Sequence, residues 1–395
     1  MAQKRGFARI CQQSRDRRDL WRRVRSGANS ACVCSFRANQ MFRAASPSTT
    51  WSEQLEPGEH ELFEHFARNV LIPRQREVAQ RTHGNVGRAL HMKPHAGLIA
   101  EFRVLPDLPE HACFGVFSEP RVFPAVVRFS NGESFNKPDR ELQPRGIAIK
   151  LFGVSGPKLL YDQNEAVTQD FLATSHSVTS TVHHVRQFIA FIESAIEAER
   201  THSQLPFVLV RKLGFYETAR IMFNLLRSVA FNKVRSMATE HYFSPAPIKC
   251  GPYAVKFAVQ PAEGTKQPAA MDRPTDDFLR EELTDRLRKE DLMFDFAVQF
   301  YVNESLTPIE DSSVQWKSKH APFVTVARLR VPKCDLSDPQ TKELSKKIDR
   351  LSFNPWHATE DHRPLGNVMR ARKVAYQMSA EFRQHDPEPT GLPLI

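Results

Sequence analysis

Apolar and polar residues alternate through LIAEFRVL (98–105), with Leu98, Ala100, Phe102 and Val104 on one side and Ile99, Glu101 and Arg103 on the other. A period of two predicts a strand with one buried face. CFGVFS, AVVRFSNG and RGIAIKLFGV follow at short intervals, separated by turn residues such as Pro124 and Asn131-Gly132, and read as further strands. After residue 182 the period lengthens, and HHVRQFIAFIESAIEAER and FYETARIMFNLLRSVAF read as helices. Strand character returns in HYFSPAPIKCGPYAVKFAVQP. A charged helix over 276–290 then precedes two more strands, DLMFDFAVQFYVN and PFVTVARLRVPKC, and a short helix over 344–351. Upstream, Leu62, Phe63, Phe66, Val70 and Leu71 fall at helical spacing, closed by Pro73, and 81–97 reads as loop. Two groups of antiparallel strands broken by a helical insertion at 183–240 predict an α+β chain: a closed or nearly closed β-barrel with helices outside. A barrel of about eight strands can pack a cofactor against its wall.

The last helical stretch, HRPLGNVMRARKVAYQMSAEFR (362–383), carries unusual chemistry. A helix starting just after Pro364, with Asn367 as its cap, puts Arg372 and Tyr376 one turn apart on one face. Leu365 and Met369 extend that face, and Arg383 lies two turns beyond Tyr376. Burying two guanidiniums is costly unless an anion is buried with them. RxxxY alone is equally consistent with a solvated basic helix face.

Composition is that of an ordinary folded chain: 395 residues, 41% hydrophobic, with no apolar run long enough to span a membrane. The net charge of +10 belongs to one end. Residues 1–47 hold ten Arg and one Lys against two Asp, a surplus of +9, which leaves +1 for the remaining 348 residues. This segment lacks the apolar core of a secretory signal. It fits an organellar transit segment, a nucleic-acid or membrane-surface arm, or an upstream extension of a start at Met41; the last, or plain disorder, is the favoured reading. No basic cluster is paired with an aromatic platform, which argues against nucleic-acid binding. Cys11, Cys32, Cys34, Cys113, Cys250 and Cys334 show no zinc or CxxC spacing, and the expectation is a reducing, cytoplasmic compartment. The expected layout is a basic tail over 1–47, one domain over 48–385 and a C-terminal tail over 386–395.

Four motifs, in order, give the chain a resemblance to the haem catalase family, in particular its shorter catalase-related peroxidase branch. They are Arg88-Ala89-Leu90-His91-Met92-Lys93, Val127-Arg128-Phe129-Ser130, Arg145-Gly146-Ile147-Ala148-Ile149-Lys150, and Arg372 with Tyr376 and Arg383. Together they cover most of residues 85–385. The resemblance implies haem b as cofactor, with Tyr376 as the iron ligand; ferric haem held by tyrosine is a recognised ligation mode. The phenol, with a free pKa near about 10, is helped to ionise by Fe³⁺ and by Arg372. The resemblance makes His91 the distal base, Ser130 its hydrogen-bond partner, and Arg88, Arg128 and Arg383 the partners of the haem carboxylates. His95 is a rival to His91, expected to be structural or at the pocket mouth. Phe188 corresponds to an aromatic residue lining the distal pocket.

One departure stands out. Where the family places a distal asparagine, this chain has Thr174 or Ser175, depending on one gap. A hydroxyl can hydrogen-bond a peroxide but lacks the amide donor's reach. The expectation is therefore a haem-dependent peroxide-cleaving enzyme acting as a peroxidase or on organic or fatty-acid hydroperoxides, rather than a fast dismutase. The phenylalanine-rich helices at 183–232 would shape an apolar entrance. Two other readings compete: a haem carrier or sensor without turnover, and a cofactor-free scaffold whose helical insertion binds a partner. No nucleic-acid partner and no stable membrane insertion are expected, and oligomerisation is left open.

Overall fold

The computed structural model describes residues 45–392 except 83–85, 134–135, 142, 161–165, 176–181 and 231–233. The basic segment, its three cysteines and the readings attached to them lie outside the described residues. Nine strands form one antiparallel sheet: β1 (Pro94–Val104), β2 (Val122–Asn131), β3 (Arg145–Phe152), β4 (Thr168–Ser175), β5 (Tyr242–Phe243), β6 (Ile248–Cys250), β7 (Tyr253–Pro261), β8 (Leu292–Phe300) and β9 (Val324–Val331). Short β5 bridges β4 to β7, through Thr174 opposite Phe243 and Tyr242 opposite Val259, and closes an eight-stranded barrel; β6 hangs on β7 as a hairpin.

Alternation sorts the barrel's two faces. Leu98, Phe102, Phe129, Ile147, Ile149, Phe171 and Phe296 point inward into one buried cluster. The rings of Phe102, Phe171, Phe257 and Phe296 contact one another at centroid distances of 5.0–6.2 Å. Burying aromatic rings in this way is the largest apolar contribution such a barrel can make. On the outer face, α6 (Pro339–Arg350) crosses β1 and β2, and a Cβ on Gly97 would stand 2.7 Å from Ile348, so glycine permits the helix to approach this closely.

The structure corrects several expectations. CFGVFS (113–118) is not a strand: it follows one 3₁₀ turn, Glu110–Ala112, and contains a second, Gly115–Phe117. β4, read in the sequence only for its chemistry, is a strand. Pro73 does not end the first helix: α1 (Glu59–Phe66) runs through a π turn (Ala67–Leu71) into α2 (Ile72–Arg81). Pro73 falls in the first turn of α2, where a missing N–H costs little. The insertion is α3 (Val185–Thr201) and α4 (Leu205–Ala230), and α5 is Phe278–Leu287. The last helix, α7, is Asn367–Phe382, with Gly366 (φ 83°) as its cap residue, not Asn367. Asn367 Oδ1 accepts instead from the Val185 N–H at 3.0 Å and ties α7 to α3. The chain after α7 is also anchored: Glu388 meets Lys150, Thr168 and His357, and Leu392 packs on the outer face of the barrel.

Two buried histidines are held neutral. His362 Nε2 accepts from the Val116 N–H at 2.9 Å, and burial pushes its pKa down to about 4. Burial likewise takes His95, whose Nε2 lies 2.8 Å from Asn131 Oδ1, to about 4. An unfolded histidine titrates near about 6.5, so between there and about 4 the unfolded chain binds more protons and stability falls as pH falls. The expected slope is up to about 1.4 kcal/mol per pH unit for each histidine. Urea titrations from pH 7 to 4.5 check this: in His362→Gln the slope should be shallower by about that amount.

Candidate functional site

The outer faces of β2, β3 and β4 make a floor. Register sets Ser130, Gly146 and Thr174 in one row and Arg128, Ala148 and Leu172 in the next. Gly146 and Ala148 keep it low, while Ala148, Leu172 and Thr174 are only half-buried. Register also separates the two hydroxyl candidates. Thr174 shares the row and face of Ser130, whereas Ser175 is fully buried and its Oγ accepts from the Arg145 N–H at 3.0 Å. Arg145 also turns inward, to Asn131 Oδ1 at 2.7 Å.

His91 lies on the loop that leads into β1. Its backbone takes φ 58°, a left-handed conformation that costs about 1–3 kcal/mol for a non-glycine residue. The loop is held by His91 N–H to Gly132 O at 3.1 Å, by Met92 N–H to Glu133 O at 3.1 Å, and by the Arg128 guanidinium donating to His91 O at 2.8 Å. The ring lies over Gly146, where a Cβ would come within 2.5 Å of Nδ1. Nδ1 is 3.1 Å from Ser130 Oγ. Burial, followed by the charges of Arg128, Arg372 and Arg88, drives the His91 pKa down to about 3. The imidazole is therefore neutral, and with Nδ1–H donating to Ser130 its Nε2 carries a free lone pair. His95 instead lies inside the barrel with Asn131 and Asp139, away from this face.

On α7, an Arg372 N–H donates to Tyr376 Oη at 2.8 Å, and the guanidinium carbon stands 4.8 Å from the ring centre. The other Arg372 nitrogen contacts Met369 Sδ at 3.4 Å. Arg372 lies near enough to His91, and Tyr376 to Arg88, for their charges to be felt, which sets α7 near the His91 loop.

Beside them three guanidiniums converge on the C-terminal end of α6. Arg88 donates to Asp349 O at 2.7 Å and Leu351 O at 2.8 Å; Arg383 donates to Arg350 O at 3.1 Å and Leu351 O at 3.2 Å. Arg128 Nε meets the Asp349 carboxylate at 2.7 Å. Burial opposes ionisation of Asp349, but Arg128 and Arg88 outweigh it and hold the carboxyl below its usual range. Burial, then repulsion from Arg128 and Arg383, pushes Arg88 well below the usual arginine value. Its Nε is buried without a partner among the described residues. Three cations thus share one carboxylate and a helix C-terminus, which leaves a surplus of two positive charges.

Phe188 stands on α3, 36% exposed, with no ring contact to His91 or Tyr376 among the described residues. Sequence reasoning missed Asp349 and Phe353; the Phe353 ring lies 5.6 Å from the Arg88 guanidinium carbon. It also gave Gly146 and Ala148 no role, although two small residues two apart on a strand mark one open face.

No protein-family model matches this sequence, and no curated protein does. Among solved structures the chain is similar to a fungal catalase, with TM-score 0.59 and 16% identity over 78% of this chain and 62% of that one. It is also similar to catalase A from Saccharomyces cerevisiae, with TM-score 0.56 and 14% identity over 78% and 64% of the two chains. A bacterial catalase gives TM-score 0.54 and 16% identity over 92% and 68%. The chain therefore spans 62–68% of the length of these enzymes. At such identity the likeness is one of fold, and the fold is catalase-like.

Proposed function

We propose that this protein binds haem b between α7 and the His91 loop and cleaves the O–O bond of a peroxide, preferring organic hydroperoxides. The observation that carries this reading is the convergence, from distant parts of the chain, of the Arg372–Tyr376 pair, the His91–Ser130 pair and three arginines around one carboxylate. The catalase-like fold supports it. The residues fit the cofactor. The arginine surplus of two charges and the orphaned Arg88 Nε match a group carrying two carboxylates. Gly146 lets the His91 ring lie close against the sheet, on the side where the cofactor would face it, and a tyrosine is a recognised ligand for ferric haem iron.

Bound haem supplies a redox-active iron at which an O–O bond can be broken. The protein's own groups do the rest. Tyr376 Oη would hold the iron, with Arg372 donating a hydrogen bond to that oxygen. His91 Nε2 takes the proton from one peroxide oxygen and delivers it to the other, which leaves as water or an alcohol. Ser130 keeps Nδ1–H pointed away so that Nε2 stays free. Thr174 offers a hydroxyl, and no amide, to the same space, which disfavours dismutation of hydrogen peroxide relative to cleavage of a bulkier hydroperoxide.

The test is reconstitution with haem, followed by stopped-flow mixing with hydrogen peroxide and with a fatty-acid hydroperoxide. A Soret band is expected, with faster consumption of the organic hydroperoxide. A Soret band with neither peroxide consumed would instead make the protein a haem carrier, and no Soret band would remove the cofactor from the proposal.

A further inference from the structure

We infer that the groove between α1 and α7 is a binding site for a small aromatic carboxylate. Arg370, Lys373, Val374, Gln377, Met378 and Glu381 recur along α7 at steps of three and four and form one face of the helix. Across from them stands α1, and the groove between the two holds about 480 Å³. Small-molecule sites usually hold about 300–1,000 Å³. Arg372 and Tyr376 lie on the other side of the helix, so the groove is separate from the site described above. Phe63 of α1 and Trp356 of the loop before α7 are buried and floor it, and half-buried Val374 and Met378 line one side. The Trp356 N–H donates to Met369 O at 2.7 Å, which fixes the indole. Two aromatic rings and a thioether favour a flat, aromatic body in the groove.

Charge selects the head group. Arg370 is fully matched, by Glu59 at 2.6 Å, Glu53 at 2.9 Å and Glu310 at 3.1 Å. Glu64 lies 3.5 Å from His60 and 3.9 Å from Arg68. Glu381 is exposed to water and accepts from the Gln377 amide at 3.1 Å. Lys373 is the exception. Among the described residues it meets no carboxylate, and its ammonium stands 4.7 Å from the centre of the Trp356 ring. A cation–π contact orients an ammonium but does not neutralise it. A half-buried cation beside an apolar groove is completed by an anion whose body fills that groove. A cationic ligand would meet Lys373, and a ligand of higher negative charge would meet Glu59, Glu64 and Glu381, so the match is a single carboxylate. This binding needs neither haem nor turnover.

Isothermal titration of the full-length protein as purified tests it, with naphthoate as the probe and naphthamide as its uncharged counterpart. One saturable site for naphthoate is expected, with the amide about tenfold weaker. Lys373→Gln should weaken naphthoate by about tenfold and leave the amide unchanged, whereas Lys373→Arg should restore most of the loss. Met378→Trp keeps every charge and places a larger side chain in the groove, so it should block both ligands. Naphthoate held by the arginine cluster at the end of α6 would be indifferent to all three changes. Equal binding of naphthoate and naphthamide, naphthoate affinity unchanged in Lys373→Gln, or no saturable binding up to about 5 mM naphthoate would each overturn the assignment.

Discussion

Tyr376→Phe is expected to leave the protein with less than about a tenth of the wild-type haem, because ligand and supporting groups at a metal centre typically carry factors of about 10–100 in affinity. The change removes one oxygen. It deletes the acceptor of the Arg372 hydrogen bond at 2.8 Å and keeps the ring that lies 4.8 Å under the guanidinium. The half-buried ring still fills its space, so thermal stability without haem should be nearly unchanged. Pyridine haemochrome analysis of purified protein, with a Soret titration, separates the two quantities. Arg372→Met gives the companion result. It keeps the phenol but removes the charged hydrogen-bond donor at 2.8 Å from its oxygen, so the ligand loses its supporting group and haem should bind about tenfold more weakly. Haem held as tightly in Tyr376→Phe as in the wild type would show that the iron ligand is another residue.

Much of this arrangement was legible in the sequence, and the failures have identifiable causes. The barrel strands could be read because their inward residues alternate with outward ones: Leu98, Ala100 and Phe102 all reach the interior, as expected. CFGVFS misled because its apolar residues serve a tight 3₁₀ turn, Gly115–Phe117. Gly115 has φ 56°, and a Cβ there would sit 2.3 Å from His362 Nε2, so the position belongs to a close contact and not to a pleat. Pro73 misled because local chain rules cannot show a π turn feeding a second helix. The choice between Thr174 and Ser175 turned on strand register, which one sequence does not contain. Asp349 and Phe353 were invisible for a different reason. They join Arg88 across 261 and 265 residues of chain through the end of α6, a contact made by the fold and not by any motif. The motifs carried the chemistry-bearing side chains, while the groups that balance or seat them came only with the tertiary structure.

His91→Ala is expected to keep haem and lose hydroperoxide cleavage by about 10²–10⁴-fold, the usual worth of a positioned general acid–base. None of the haem contacts proposed above involves the imidazole, so the Soret band should persist while the single-turnover rate collapses. The pH profile adds a sharper test. An ordinary imidazole would lose most of its base form by pH 5, because it titrates near about 6.5. His91 sits at about 3, with burial as the first cause and Arg128, Arg372 and Arg88 after it. Carboxylates paired to Arg88 and Arg128 would offset part of the repulsion but not the burial. The base form thus stays populated as pH falls from 8 to 5, and the rate of cleavage should be flat across that window. Gly146→Ala tests the position of the ring without removing it. Its methyl would stand 2.5 Å from Nδ1, so the imidazole must swing off Ser130, and activity should fall towards that of His91→Ala although the histidine remains. Full activity in both variants would move the proton transfer to another group.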